Sequence, residues 1–213
     1  MHVELKDSDH FHPKYEGITG IILAGGKSTR YGRNKAFERI DGTPIIERVV
    51  DTMGSVFQKL IIITNTPLEY AHLGVPMFED IIKGLGPIGG IYTGLDVISN
   101  AAGFFVACDM PFLNPNLIHE MVEVLGDFDA VVPKIDWKLE SLHALYSKRC
   151  LLPIKKLIDA GEYQVIKLFE RVRMRYLVED EIRAMDPHLR SFFNVNRPEE
   201  LVKACHIKNG AAG

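Results

Sequence analysis

The sequence predicts an α/β protein built as a three-layer sandwich, with a mostly parallel sheet between two layers of helices. Short apolar runs of strand length alternate along the chain with segments whose apolar residues recur at helical spacing. The chain has 213 residues, of which 46% are hydrophobic and 25% charged, and this is enough to bury one core. In such sheets ligands bind beyond the carboxyl ends of the strands, so the residues that follow each strand are the candidates for chemistry.

The predicted strands are short runs of mainly apolar residues. The first of them, 18–23, has the composition of a buried strand. The predicted strands are 18–23, 60–64, 76–78, 104–108, 130–133, 142–146 and 175–178.

The predicted helices are marked by their apolar spacing and by the residues at their first positions. Thr43 precedes Pro44, which we expect at the first helical position, and apolar residues then repeat at helical spacing as far as Met53. Asn114 before Pro115 is a typical start of a second helix, which we expect to end at about residue 125. The other predicted helices are 89–99, 151–160, 165–172 and 198–205.

We expect a single domain over residues 17–206, between a flexible lead, 1–16, and a flexible tail, 207–213. The lead lacks the apolar segment of a signal peptide, and no apolar run approaches the ~20 residues of a membrane span. The 3 cysteines are far apart, which favours reduced thiols and a cytoplasmic location. The formal net charge of −3 argues against a nucleic-acid partner, and we expect no membrane partner either.

The segment 23–35, LAGGKSTRYGRNK, combines glycines, cations and hydroxyl groups directly after a predicted strand. Glycines let backbone amides approach an anion closely, and the cations can neutralise a polyphosphate. We therefore interpret the segment as a phosphate-binding loop, the alternative being a solvated basic turn. Its glycines are Gly25, Gly26 and Gly32, and its cations are Lys27, Arg30, Arg33 and Lys35.

Two glycine patterns imitate other phosphate-binding motifs. A P-loop that ended at Lys27 would need glycine where Ile21 stands, so this motif is incomplete. Residues 84–89 match GxGxxG, but they lack the acidic residue ~20 positions later that supports a dinucleotide site. We interpret residues 84–89 as a turn that leads into a helix.

Asp109 stands at the carboxyl end of the predicted strand 104–108, where the ligand crevice is expected. A carboxylate beside a polyphosphate suits Mg²⁺, which fills its coordination shell with phosphate oxygens and water. The alternative is a turn or helix-cap residue before Pro111. The phosphate-binding loop in the same predicted sheet favours the metal.

Other polar residues also follow predicted strands. Asn65 and the pair Glu79-Asp80 are each either nucleotide contacts or plain turn residues, and Glu79-Asp80 could also provide a second metal position. No arrangement of Ser, His and Asp, or of Cys and His, indicates a nucleophile supplied by the protein. We expect His143 and Cys108 to be structural residues.

Four motifs, in this order, resemble those of the molybdenum cofactor guanylyltransferases, which are nucleotidyltransferases with a Rossmann-like fold. Segment 23–35 is similar to the family's LAGGxSxRxGxxK signature, and GPIGGI, 86–91, is similar to its GPxxGI segment. CDMP, 108–111, resembles the CDxP metal motif, and NVNRPEEL, 194–201, resembles the NVNTPEEL ending. The resemblance covers about 18–201 and implies a fold of the nucleotide-diphospho-sugar transferase type.

The resemblance implies transfer of GMP from GTP to molybdenum-molybdopterin, with Mg²⁺ as cofactor. The products would be the guanine dinucleotide form of the cofactor and pyrophosphate. LAGG rather than LAAG, a difference at Gly25, favours the guanylyl over the cytidylyl branch. The implied partners are GTP, molybdenum-molybdopterin, and molybdoenzymes or their chaperones.

The resemblance also implies roles for the residues that match the family's motifs. Lys35, assisted by Arg30, would bind the phosphates and Asp109 would hold Mg²⁺, so these three are the expected catalytic residues. Asn194 and Asn196 would lie toward the pterin of the acceptor. The expected nucleotide-binding residues are Leu23, Ala24, Gly25, Gly26, Lys35, Asn65, Asp80 and Asp109.

The sequence departs from the family's pattern at Tyr31, where methionine is usual, and at 141–146, where proline often precedes the leucine.

Three alternative functions stay open. The first is a nucleotidyltransferase of the same fold that uses CTP, with molybdopterin or a sugar or alcohol phosphate as acceptor. The second is a non-catalytic molybdopterin carrier, which the intact Lys35 and Asp109 disfavour. The third is a switch-type GTPase, which Ile21 in the P-loop position disfavours.

Overall fold

The computed structural model describes residues 13–25 and 34–209, and every strand and helix that the sequence predicts is present within a few residues of its expected ends. The strands are β1 (Tyr15–Leu23), β2 (Arg39–Ile40), β3 (Thr43–Pro44), β4 (Phe57–Ile63), β5 (Met77–Phe78), β6 (Ala102–Ala107), β7 (Ala130–Ile135), β8 (Lys138–Leu139), β9 (His143–Ser147) and β10 (Met174–Val178). The α-helices are α1 (Ile45–Val56), α2 (Pro67–Tyr70), α3 (Pro87–Val97), α4 (Pro115–Glu123), α5 (Leu151–Asp159), α6 (Ile166–Phe169), α7 (Glu179–Arg183) and α8 (Pro198–Asn209).

One sheet dominates the fold. Across residues 13–25 and 34–209, 8 strands join in the order β10-β7-β9-β6-β1-β4-β5, with β8 paired to β7. The pairs β1–β4, β1–β6, β4–β5 and β7–β10 are parallel, whereas β9 and β8 run antiparallel to their neighbours. The expectation of a mostly parallel sheet is therefore confirmed. Strand β9 was predicted, but its antiparallel direction was not.

The two faces of the sheet carry separate halves of the core, because neighbouring side chains of a strand point in opposite directions. Ile22 of β1 packs with residues of α1 and α4 on one face. Ile21 and Leu23 pack with residues of α3 and α5 on the other face. The three-layer sandwich is therefore confirmed.

The prediction for the start of α1 is wrong. Pro44 is not the first helical residue, because it lies in β3 with an extended backbone (φ −55°, ψ 143°), and α1 begins at Ile45. Thr43 and Pro44 pair with β2 across a tight turn. Asp41 and Gly42 in that turn both have positive φ, 51° and 81°, which is typical of a two-residue hairpin loop.

Regular structure begins earlier and ends later than the expected domain, 17–206. Strand β1 starts at Tyr15 and helix α8 ends at Asn209. The hydroxyl of Tyr15 donates a hydrogen bond of 2.6 Å to Glu123 Oε1, and its ring centroid lies 5.2 Å from that of His119. The first residues of β1 are thus attached to α4.

No helix in the described part of the chain is long and apolar enough to cross a membrane. The three cysteines, Cys108, Cys150 and Cys205, are free thiols.

Helix α3 approaches the sheet closely because it carries glycine where it faces the strands. A Cβ atom on Gly94 would lie 2.7 Å from Phe105 Cε1, and one on Gly90 would lie 3.1 Å from Leu23 Cδ2. Gly86, with φ 65° and ψ −149°, caps the first turn in a conformation that other residues avoid. Residues 84–89 are thus a turn that leads into a helix, as predicted.

His143 is a structural residue, as predicted. It is 0% exposed, and its ring lies at centroid distances of 5.3 Å from Phe104 and 5.0 Å from Phe192. Neither ring nitrogen has a hydrogen-bond partner in the described part of the chain. Burial lowers the pKa of His143 to about 3, although the carboxylate of Asp186 acts in the opposite direction.

We expect Gly94→Ala to destabilise the fold by about 1–3 kcal/mol, because the added methyl group would collide with Phe105. Gly54→Ala in α1 is the matched control, since a Cβ there meets nothing within 4 Å. The control should stabilise the protein by about 0.5–1 kcal/mol through lower backbone entropy in the unfolded chain. Urea unfolding measures both, and equal effects of the two substitutions would contradict the packing described for α3.

The buried imidazole should make stability depend on pH. The folded state resists protonation of His143 down to about pH 3, whereas the unfolded chain takes up the proton near pH 6.5. The contribution of neutral His143 to the free energy of unfolding is therefore fully present above about pH 6.5, and it decreases as the pH drops toward 3. Between pH 7.5 and pH 5 it should fall by about 2 kcal/mol, and His143→Phe should remove that part of the loss. Urea unfolding at the two pH values checks this, with the exposed His188→Asn as the control.

Candidate active site

The candidate site lies where the order of the strands changes direction. The chain builds β4 and β5 on one side of β1 and then places β6 on the other side, so the carboxyl ends of β1 and β6 flank a topological switch point. Leu23 pairs with Ala107, and the amide of Cys108 donates to the carbonyl oxygen of Leu23 (3.1 Å). This register brings residues 23–25 next to Asp109.

The structure brings Lys35 and Asp109 into one site. Burial raises the pKa of the half-buried Asp109 carboxyl above its usual range, and the Lys35 ammonium acts against this rise. The carboxylate of Glu200 raises the same pKa further, so it also lies within electrostatic reach. A cation bound to Asp109 would offset the cost of burying its charge.

Asn34 fixes the backbone just before Lys35. Its side-chain oxygen accepts the amide of Ala36 (3.2 Å) and caps the short 3-10 turn Lys35–Phe37. Its side-chain nitrogen donates to Glu69 Oε2 (2.6 Å) and to the hydroxyl oxygen of Tyr70 (2.8 Å) in α2. The end of the segment 23–35 is therefore attached to a helix that the sequence did not predict.

The segment 194–197, which we call the NVNR segment, contacts both Lys35 and Asp109. The Lys35 ammonium donates to Asn196 Oδ1 (3.0 Å), and the amide of Val195 donates to the carbonyl oxygen of Asp109 (3.0 Å). Asn194 behaves differently, because its side chain donates to the carbonyl oxygen of Phe192 (3.3 Å).

Glu200 holds the NVNR segment from the first turn of α8. Its Oε2 atom accepts the amides of Asn196 and Arg197, the latter at 2.9 Å. Sequence reasoning did not select Glu200 as a site residue. The available signal was a glutamate in the first turn of a helix, three residues after the position that caps it.

Asn65 and Asp80 form a pair beyond β4 and β5. Asn65 Nδ2 donates to Asp80 Oδ2 (2.7 Å), and the Asp80 amide donates to Asn65 Oδ1 (3.2 Å). The other carboxylate oxygen of Asp80 is buried and has no hydrogen-bond partner among the residues described. Such an oxygen is available to a ligand donor. Glu79 instead forms an exposed ion pair with Lys83 (2.6 Å).

The remaining expected site residues are placed less completely. Leu23 and Ala24 are buried, at 8% and 5% exposure. Their side chains are therefore largely inaccessible to a ligand, and mainly their backbone atoms could contact one. Gly25 is exposed. Gly26, Arg30 and the rest of the loop through residue 33, Tyr31 included, lie outside the described residues.

The side chains of the site determine whether it can bind a metal ion and whether it can supply a nucleophile. No group of three or more His, Cys, Asp or Glu side chains within 13–25 and 34–209 forms a metal cage. A single carboxylate such as Asp109 is enough for a cation that enters with a polyphosphate, since Mg²⁺ needs only one or two carboxylates.

Burial and the adjacent Asp109 carboxylate raise the pKa of Cys108 to about 12, so its thiol is a poor nucleophile and fits a structural role.

Comparison with known proteins identifies the family. The family model described as the MobA-like NTP transferase domain matches residues 20–203. The molybdenum cofactor guanylyltransferase of Desulfosudis oleivorans is 40% identical over 191 residues, which cover 89% of this chain and 95% of that protein. The probable molybdenum cofactor guanylyltransferase of Pelotomaculum thermopropionicum is 38% identical over 186 residues, which cover 87% and 91%.

A solved structure agrees with these relatives. The crystal structure of molybdopterin-guanine dinucleotide biosynthesis protein A from Archaeoglobus fulgidus matches with a TM-score of 0.78 and 28% identity, over 90% of this chain and 98% of that one. The resemblance and the fold type predicted from the motifs are confirmed. The chain belongs to the MobA-like NTP transferase family and is a nucleotidyltransferase.

Proposed function

We propose that this enzyme transfers GMP from GTP to molybdenum-molybdopterin and releases pyrophosphate. The observation that carries the proposal is the placement of Lys35 and Asp109 in one site at the switch point of the sheet. A cation within electrostatic reach of a half-buried carboxylate suits a metal-bound triphosphate. The names of the relatives in Desulfosudis and Pelotomaculum supply the nucleotide and the acceptor.

The nucleotide would lie across the carboxyl ends of β1, β4 and β5. Backbone groups of residues 23–25 would line the guanine and ribose. Asp80 would contact the nucleoside through Oδ1, which has no partner among the described residues, while Asn65 holds Oδ2 in place. Lys35 would bind the phosphates, assisted by Arg30 and Gly26 of the loop.

Asp109 would hold Mg²⁺ together with the phosphate oxygens of the substrate. When bound, the ion would neutralise negative charge on the triphosphate. Glu200 is a second carboxylate within electrostatic reach of Asp109, but it already accepts two backbone amides.

The reaction needs no nucleophile from the protein. An oxygen of the acceptor's terminal phosphate attacks the α-phosphorus of GTP, the bond from that phosphorus to the bridging β-phosphate oxygen breaks, and pyrophosphate leaves. The protein must hold two anions that repel each other, by about 4 kcal/mol for unit charges ~4 Å apart at an effective dielectric constant near 20. The Lys35 ammonium opposes this repulsion, and the surrounding contacts fix it in position.

The acceptor would approach from the side of the NVNR segment. Asn196 touches Lys35, so this segment borders the phosphate-binding cation. We propose that Asn194 and Asn196 face the pterin, that the reaction takes place in the cytoplasm, and that molybdoenzymes or their chaperones receive the product.

The central test is a pyrophosphate-release assay with and without molybdenum-molybdopterin. We expect release that depends on the acceptor and that is faster with GTP than with CTP. Faster release with CTP would instead identify a cytidylyltransferase. Acceptor binding without pyrophosphate release would identify a carrier, and phosphate release from GTP without acceptor would identify a GTPase.

Lys35→Ala and Asp109→Ala should each lower kcat/KM by about 100-fold or more while the fold survives, because each removes a charge that opposes the repulsion between phosphates. Steady-state kinetics and circular dichroism measure the two effects. Lys83→Ala and Asp51→Ala, at an exposed cation and an exposed carboxylate, are matched controls that should stay near the wild-type rate. Near-normal turnover in Lys35→Ala or Asp109→Ala would remove that residue from the mechanism.

A further inference from the structure

The NVNR segment is the physical link between the cation and the carboxylate of the site. Through Asn196 Oδ1 it holds the ammonium of Lys35, and through the Val195 amide it holds the backbone of Asp109. Val195 itself is fully buried, at 0% exposure, which anchors the middle of the segment in the core. A shift of this segment would therefore move Lys35 relative to Asp109.

The position of the segment depends in turn on one carboxylate oxygen. Glu200 Oε2 accepts both the Asn196 amide and the Arg197 amide. Both amides belong to residues just before α8, and they have no hydrogen-bond acceptor within the helix. Without the carboxylate, the backbone on either side of the Asn196 side chain would lose its hydrogen bonds, and the contact with Lys35 would loosen.

Glu200 does more than cap a helix. Its bond to the Arg197 amide is an ordinary helix cap, but its second bond holds the amide of Asn196, the residue whose side chain accepts from Lys35. Glu199, beside Glu200 in the first turn of α8, carries the same charge on an exposed side chain.

We propose that Glu200 is a positioning residue for the nucleotidyl transfer, acting through the NVNR segment to hold Lys35 in register with Asp109. It touches neither the substrate nor the reacting atoms. The kinetic consequence rests on the function proposed above, whereas the effect on Lys35 itself does not.

The test compares Glu200→Ala, Glu200→Gln and the matched control Glu199→Ala. Competitive acylation of lysine amines, read by mass spectrometry on the ligand-free protein, reports how firmly Lys35 is held. Glu200→Ala should raise the labelling rate of Lys35 by about 3-fold or more relative to the other lysines. Glu200→Gln should largely restore the wild-type rate, because its amide oxygen can accept the same two N–H groups. Glu199→Ala should leave the rate unchanged.

Kinetics supply the second measurement. Glu200→Ala should lower kcat/KM with GTP and acceptor by about 10- to 100-fold, as expected for a misplaced catalytic group. In a Lys35→Ala background the same substitution should cost less than about 2-fold, since its effect passes through Lys35.

Three results would overturn the proposal: unchanged Lys35 labelling in Glu200→Ala, an equal effect of Glu199→Ala, or a full additional loss in the Lys35→Ala background. Failure of the proposed function looks different. In that case the wild-type protein releases no pyrophosphate with GTP and acceptor, while Lys35 labelling still responds to Glu200→Ala.

Discussion

The placement of the Lys35 ammonium within electrostatic reach of the half-buried Asp109 carboxyl is the constraint on which the proposed site depends. Burial alone would favour the neutral acid, and the ammonium works against that tendency. The fold makes the pair possible because β1 and β6 are neighbours and their carboxyl ends meet. Three separate elements then fix the pair: α2 through Asn34, the NVNR segment through Asn196, and α8 through Glu200.

Close packing around the first strand supports the same site. Helix α3 lies against β1 and β6 because glycines replace side chains at the contact, and a methyl group on Gly94 would already collide with Phe105. Thr93 of the same helix accepts the amide of Ile81 (3.0 Å), next to Asp80. The packing of one helix therefore influences the position of the carboxylate proposed to contact the nucleoside.

The features that could be predicted from the sequence are those that depend on local residue patterns. The strands of the large sheet other than β8 and most helix ends follow from periodicity and caps, and the family follows from four motifs in order. The short strands β2, β3 and β8 were not predicted. The attachment of Asn34 to Glu69 and Tyr70 could not be predicted, because it joins residues 35 and 36 positions apart through a helix without a local signal.

Two further differences have distinct causes. Asp41-Gly42 is a sequence typical of a hairpin turn, and both residues have positive φ. The helical spacing that follows led to the wrong prediction that Pro44, which lies in β3, begins the helix. Asn65 and Glu79-Asp80 stayed open because a turn residue and a ligand contact have the same composition. The structure distinguishes the two acids. One buried oxygen of Asp80 has no hydrogen-bond partner within 13–25 and 34–209, whereas Glu79 forms an ion pair with Lys83 at the surface.

The amide of Asn34 has a consequence for the charge that this position can carry. Its nitrogen donates to a carboxylate oxygen of Glu69 at 2.6 Å. An aspartate in its place would have no N–H to donate, and its negative charge would repel Glu69. A neutral amide at position 34 therefore keeps the backbone before Lys35 attached to α2.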